Sequence, residues 1–101
     1  LSARSISKLK DLIIDHIGVA AGSALGSDSS TGIFNAIQTF SNGTKVAAQY
    51  TRRVTIFAPE YAKLLNGSFA HSYDYDDTYA AGTLHPGASI TPAVLASAEI
   101  T

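Results

Sequence analysis

The stretch from Ser5 to about Leu25 constrains the fold most. Ile6, Leu9, Ile13, Ile17 and Ala20 recur at intervals of three and four residues, with Leu12 and Ile14 widening the stripe. That spacing predicts an amphipathic helix, because residues three and four apart share one face. Arg4, Lys8, Asp11 and Asp15 form the opposite charged face and can pair along it. Gly18, Gly22 and Gly26 recur every four residues. Each helix-interior glycine costs about 0.5–1 kcal/mol relative to alanine, so the ridge predicts another backbone packed close against it. The apolar run is shorter than the ~20 residues needed to cross a bilayer and contains Asp15 and His16. A soluble segment is expected, of the cytoplasm or the mitochondrial matrix.

The rest of the chain continues the helical pattern. GSDSSTG at residues 26–32 is loop chemistry in which Ser29, Ser30 or Thr31 can cap a short helix from Ile33 to Phe40. Ile33, Ile37 and Phe40 would share a side of it, and Asn42-Gly43 supplies a left-handed stop. Between Lys45 and Phe57, β-branched and aromatic residues allow a brief strand or an irregular extended segment. Arg52-Arg53 reads there as a solvated surface pair. Pro59 suits the first position of a third helix and Glu60 its first turn. Ala62, Leu65, Phe69 and Ser72 would make its buried face, and the spacing carries it to about Asp74–Thr78. A loop over Tyr79–Leu84 and a turn at His85-Pro86-Gly87 should follow. A last helix would start near Ser89 or Thr91, with Pro92 in its first turn and Val94, Leu95 and Ala98 inward. The expected class is all-α, with about four helices.

Composition narrows the function. A net charge of -1 gives no electrostatic basis for binding nucleic acid or an anionic membrane. With no cysteine, the chain holds no disulfide, no thiolate zinc site and no cysteine-ligated iron–sulfur cluster. The chain starts at Leu1, contains no methionine and stops within a helical pattern, so it is expected to be a fragment of a longer protein.

Chemistry concentrates between Asn66 and Ala98. Half of the 8 acidic residues and two of the 3 histidines lie between Glu60 and His85. On an ideal helix His71, Asp74 and Thr78 fall within roughly 60° of one another, while Asp76 and Asp77 point elsewhere. Acids at a helix C-terminus oppose the macrodipole, so local stability does not account for DYDDT. Polar residues simply facing water would be the plainest explanation. Alternatively His71, Asp74, Asp76, Asp77 and His85 could ligate zinc or manganese, although neither HExxH nor a calcium-loop spacing is present. Asp74–Asp77 also matches the DxDD of class II terpene cyclases, but a chain without tryptophan lacks the aromatic surface a carbocation needs.

Taken together, Asn66-Gly67, Ala70-His71, Asp74-Tyr75-Asp76-Asp77-Thr78, His85-Pro86 and Pro92-Ala93 resemble the MmgE/PrpD family in residue type and order. KLKDLIIDHIGVAAGSA is similar to that family's early helix. The family includes 2-methylcitrate dehydratase, cis-aconitate decarboxylase and iminodisuccinate epimerase. The resemblance implies that residues 1–101 are the N-terminal portion of a large all-α domain, with a separate α+β domain absent here, in an enzyme that pairs as a homodimer. It implies a lyase acting on a small polycarboxylate, with no cofactor and no metal. Asp74 and His85 would be catalytic, Thr78 would bind substrate, and His71 and Asp77 would support them. Tyr75 stands where phenylalanine is commoner. Such chemistry needs general acids and bases near the working pH. Histidine starts closest to it, and burial would move Asp74 towards it. An epimerase of the same family, or a non-catalytic helical scaffold, are the alternatives.

With Lys63 as the nearest cation, the 101-residue chain alone should not turn over citrate-like acids. Product above a heat-killed control would show that these residues suffice.

Overall fold

The computed structural model describes residues 1–41 and 57–101. Among them the chain forms four α-helices and no strand: α1 (Ala3–Gly26), α2 (Asp28–Phe40), α3 (Pro59–His71) and α4 (Pro86–Ile100). The all-α expectation holds. The Asn42-Gly43 stop, most of the extended segment and Arg52-Arg53 lie outside the described residues. None of the described helices is long and apolar enough to cross a membrane.

Ser2 caps α1 by accepting the Ser5 N–H at 3.1 Å, so the helix starts two residues before the predicted Ser5. Its buried positions are His16, Ala20 and Ser23, one face at four- and three-residue spacing. The predicted stripe is only partly covered: Ile6, Leu9 and Ile14 are 41%, 50% and 69% exposed. The core lies against the second half of α1. The glycine ridge is likewise unmet among the described residues at Gly18 and Gly22, while a Cβ on Gly26 would meet the Tyr73 hydroxyl.

The α1–α2 corner is tight. Ser27 takes the N-cap of α2 with extended backbone, and Asp28 places a carboxylate in the favourable first turn. The helix therefore starts five residues before the predicted Ile33. Ser30 is buried within it instead of capping it, and its hydroxyl donates to the Ser23 carbonyl at 2.9 Å. Phe34 and Ile37 face the core, whereas Phe40 is exposed. Phe57 is buried and meets Phe34 edge-on, with ring centroids 5.8 Å apart.

Pro59 opens α3 as expected, and Ala62, Leu65, Asn66, Phe69 and Ala70 are its buried residues. These side chains join Ala20, Phe34, Ile37 and Phe57 in the core. α3 is the central element, packed on α4, α1 and α2. It ends at His71, short of the predicted Asp74–Thr78.

α4 departs most from expectation. It begins at Pro86, and Pro92 lies in its interior. The face towards α3 runs through Ala88, Pro92 and Ala96, while Val94 is 60% exposed and Ala98 is also exposed. Small residues line this seam because the helices approach closely. A Cβ on Gly67 would sit 2.6 Å from the Ala88 carbonyl oxygen and 3.7 Å from Pro92. Pro92 has no N–H, so that carbonyl lacks its usual helical donor. Gly67 gives the freed oxygen room.

Gly67→Ala should therefore destabilise the fold by about 1–3 kcal/mol, the usual effect of overpacking, although alanine is the better helix former. Denaturant unfolding checks this. An unchanged or raised midpoint would mean that the α3–α4 seam is looser than described.

Candidate active site

The end of α3 builds the site. His71 sits in the last helical turn, where a cationic side chain suits the macrodipole. Two residues past the cap Ser72, Asp74 adopts φ 56°, the left-handed conformation that aspartate tolerates better than most residues. Its N–H donates to the His71 carbonyl at 3.0 Å. This turn reverses the chain and brings Asp76 back under the helix end. The Asp76 carboxylate lies 3.0 and 3.1 Å from His71 Nδ1, with its side chain only 2% exposed.

The predicted single helical face of His71, Asp74 and Thr78 is therefore not formed. The left-handed turn at Asp74 replaces it, and Asp76 points into the cluster, not away from it.

The next residues return His85 to the same place. Tyr79 and Leu84 form an antiparallel bridge, and a 3-10 turn at Ala80–Gly82 and a left-handed Thr83 close the loop between them. Asp77 Oδ1 accepts the Gly87 N–H at 2.8 Å and ties the loop to the first turn of α4. A side chain at Gly87 would run into that carboxylate. His85 is thereby held at the N-cap of α4 with its ring between two acids. Nε2 lies 3.6 Å from Asp74 Oδ1 and Nδ1 lies 3.6 Å from Asp76 Oδ1. Both separations suit an ion pair and are long for a hydrogen bond. The His71 and His85 rings are 5.1 Å apart, edge to face.

Of the residues singled out in the sequence, His71, Asp74, Asp76 and His85 come together. Asp74 is 74% exposed, so the burial expected of it is not present among the described residues. Asp77 braces α4. Thr78 is exposed and does not line the adjoining groove. That groove, open and about 730 Å³, runs between α3 and α4 and is lined by Lys63, Ser68, His71, His85 and Ser89 with small and apolar neighbours. The Ser68 hydroxyl proton is engaged by the Leu64 carbonyl at 2.8 Å. Lys63 is the lining residue with a permanent positive charge.

One residue escaped the sequence analysis, His16, buried in α1, where desolvation lowers its pKa against the opposing pull of Asp77, Asp76 and Asp15. Its position four residues before Ala20, on the covered face, was the available signal.

His71, Asp74, Asp76 and His85 can each place one ligand atom within 4.8 Å of the others. Nitrogen and carboxylate donors of this kind suit zinc or manganese. The same four groups can move protons.

A histidine with a depressed folded pKa stays neutral while the unfolded chain takes up its proton. Its stabilising contribution is complete above the ordinary value of ~6.5 and is lost as pH falls from there through the folded value. Acidification from neutral pH should lower the denaturant midpoint, and His16→Leu should flatten that slope. An equal slope in the variant would place the titration elsewhere.

A cis-aconitate decarboxylase-like protein, oryM of Aspergillus oryzae, is 39% identical over 51 residues, covering 50% of this chain and 10% of that protein. No solved structure matches. The family model for the MmgE/PrpD N-terminal domain matches residues 1–101. The helical chain carrying the His71–Asp74–Asp76–His85 cluster thus belongs to the MmgE/PrpD family.

Proposed function

We propose that this chain supplies the acid–base pair Asp74 and His85 to a lyase acting on a small polycarboxylate. The reaction is a dehydration like that of 2-methylcitrate dehydratase or a decarboxylation like that of cis-aconitate decarboxylase. The observation that carries this reading is His85 Nε2 lying 3.6 Å from Asp74 Oδ1, on a residue that lines a groove also lined by Lys63. Residues 1–101 are then the N-terminal portion of a larger helical domain, within a two-domain, homodimeric enzyme. The relative's name supports the decarboxylase branch, and the family supports the lyase class.

In a dehydration, one group removes the proton α to a carboxylate, that electron pair forms the double bond, and the β-hydroxyl leaves as water with a proton from the second group. In a decarboxylation, carbon dioxide leaves and the resulting carbanion takes a proton. The dehydration requires both a proton acceptor and a proton donor and the decarboxylation a donor, each positioned against the substrate, and His85 and Asp74 stand side by side to serve. Lys63 offers a charge-assisted partner for a substrate carboxylate, and Thr78 a hydroxyl once substrate reaches the loop.

A metal centre at the same residues is the second reading, favoured by the 4.8 Å convergence. Against it, His85 presents its two nitrogens to two different carboxylates, and one cation uses one nitrogen of an imidazole. An epimerase would use the same pair but form product without loss of water or carbon dioxide.

In the full-length protein, Asp74→Asn and His85→Gln should each lower the rate by on the order of 10²–10⁴ with unfolding midpoints unchanged. Citrate-like acids, cis-aconitate included, are the substrates to assay. Losses under about tenfold in both variants would sink the acid–base assignment. Chelator should leave the wild-type rate intact. Activity abolished by chelator and restored by zinc or manganese would make these residues ligands.

A further inference from the structure

We infer that Asp76 is a positioning residue that fixes His85 as the Nδ1–H tautomer, leaving Nε2 as the lone-pair nitrogen on the Asp74 side. The inference rests on the acid–base reading of His85 and specifies how that histidine is prepared.

Two carboxylates compete for the proton of a neutral His85 ring. Asp76 Oδ1 stands 3.6 Å from Nδ1, and Asp74 Oδ1 stands 3.6 Å from Nε2. Distance does not separate them, but surroundings do. The Asp76 side chain is 2% exposed and that of Asp74 is 74% exposed. Water screens and hydrogen-bonds Asp74, whereas the field of a buried carboxylate is screened much less. His85 Nδ1 is itself buried, with no hydrogen-bond partner among the described residues. In the opposite tautomer its lone pair would face a buried anion, leaving acceptor against acceptor. With the proton on Nδ1, donor faces acceptor, and a closing movement of a few tenths of an ångström completes the bond. Such contacts commonly tighten when substrate binds.

Asp76 has the capacity for this. A carboxylate offers about four lone-pair sites, so Oδ1 and Oδ2, both contacted by His71 Nδ1 at 3.0 and 3.1 Å, each keep a second lone pair, and the one on Oδ1 faces His85. The remaining charged groups do not displace it. Asp77 is engaged by the Gly87 N–H, His16 approaches from α1 as a buried ring whose pKa is lowered by desolvation, and Lys63 lines the groove on α3. The arrangement has the logic of a catalytic triad, in which a buried acid sets the tautomer of a histidine whose far nitrogen does the work.

The test uses full-length enzyme. In Asp76→Asn the amide can donate to Nδ1 and favour the Nε2–H ring. The expected result is a fall in kcat on the order of 10²–10⁴-fold with KM held within about threefold, since the orienting acid touches no substrate. Nitrogen-15 NMR of histidine-labelled wild-type enzyme, at a pH where the ring is neutral, supplies the second readout, with His85→Gln identifying the resonances. His85 should show a protonated Nδ1 and an unprotonated Nε2, and Asp76→Asn should reverse them. A wild-type Nε2–H tautomer overturns the proposal, and that measurement decides even where Asp76→Asn does not fold. A folded Asp76→Asn enzyme within tenfold of wild type, while Asp74→Asn and His85→Gln are impaired, overturns it as well. If those two variants retain full rate, the acid–base reading falls, and the tautomer measurement still judges Asp76.

Discussion

A carboxylate taken out of water must be paired, because an isolated buried charge costs far more than a fold of this size can supply. Asp76, with its side chain 2% exposed, imposes that requirement on everything around it. His71 meets it directly, and this fixes where α3 must stop: the last helical residue has to project its imidazole over the returning chain. The return is possible only because Asp74 adopts a left-handed conformation. The second histidine arrives from the far side of the loop, held by the Tyr79–Leu84 bridge and by the Asp77–Gly87 hydrogen bond. One buried anion thus accounts for the position of two histidines, a helix end and a turn.

The groove beside this cluster has a separate origin. Its floor is the α3–α4 seam, where Gly67 meets the Ala88 carbonyl that Pro92 leaves without a helical donor. A proline in a helix interior ordinarily costs about 3 kcal/mol. Here the freed carbonyl turns towards a residue with no side chain, and the helices close to a distance that larger residues would prevent. Ala88 and Ala93 then line the groove from α4, opposite Lys63, Leu64 and Ser68 on α3. Sequence positions that look like defects in two separate helices are two halves of one contact.

This explains which parts of the molecule were legible in the sequence. Helix number and class, the start of α3 at Pro59 and its buried Ala62, Leu65 and Phe69 follow from periodicity and from proline at the first position, both local signals. His71, Asp74 and His85 were found as chemistry-bearing types in a family-like order. The helix end was missed because aspartate suits both a helix and a left-handed turn, and the choice between them is made by Asp76 five residues from His71. Asp76 reads in the sequence as a possible ligand that points away from the His71 face, because an ideal helix carried through it turns it there. His16 shares the covered face with Ala20, four residues on, but histidine is not an apolar type, so a stripe traced on apolar residues steps over it. Pro92 reads in the sequence as a first-turn residue, which places the start of α4 too late, and the contact that accommodates it lies on another helix. The end of α3 is decided across a single turn and the start of α4 by a contact with another helix, and neither shows in helical periodicity.

The charge balance of the site points beyond these residues. Asp77 is engaged by backbone and Asp76 by His71, which leaves Asp74 as the exposed negative charge of the cluster, with Lys63 as the permanent positive charge lining the groove. Those two roughly cancel. A polycarboxylate brings several charges, and each needs its own donors once water is excluded. Ser68 contributes little, since its proton is held by the Leu64 carbonyl. The described residues can therefore prepare a proton donor and acceptor but cannot by themselves neutralise the proposed substrate. The match to the A. oryzae protein covers only 10% of that protein's length. Under the proposed function, the remaining cations would come from outside the described residues, and the α3–α4 corner would supply the acid–base chemistry.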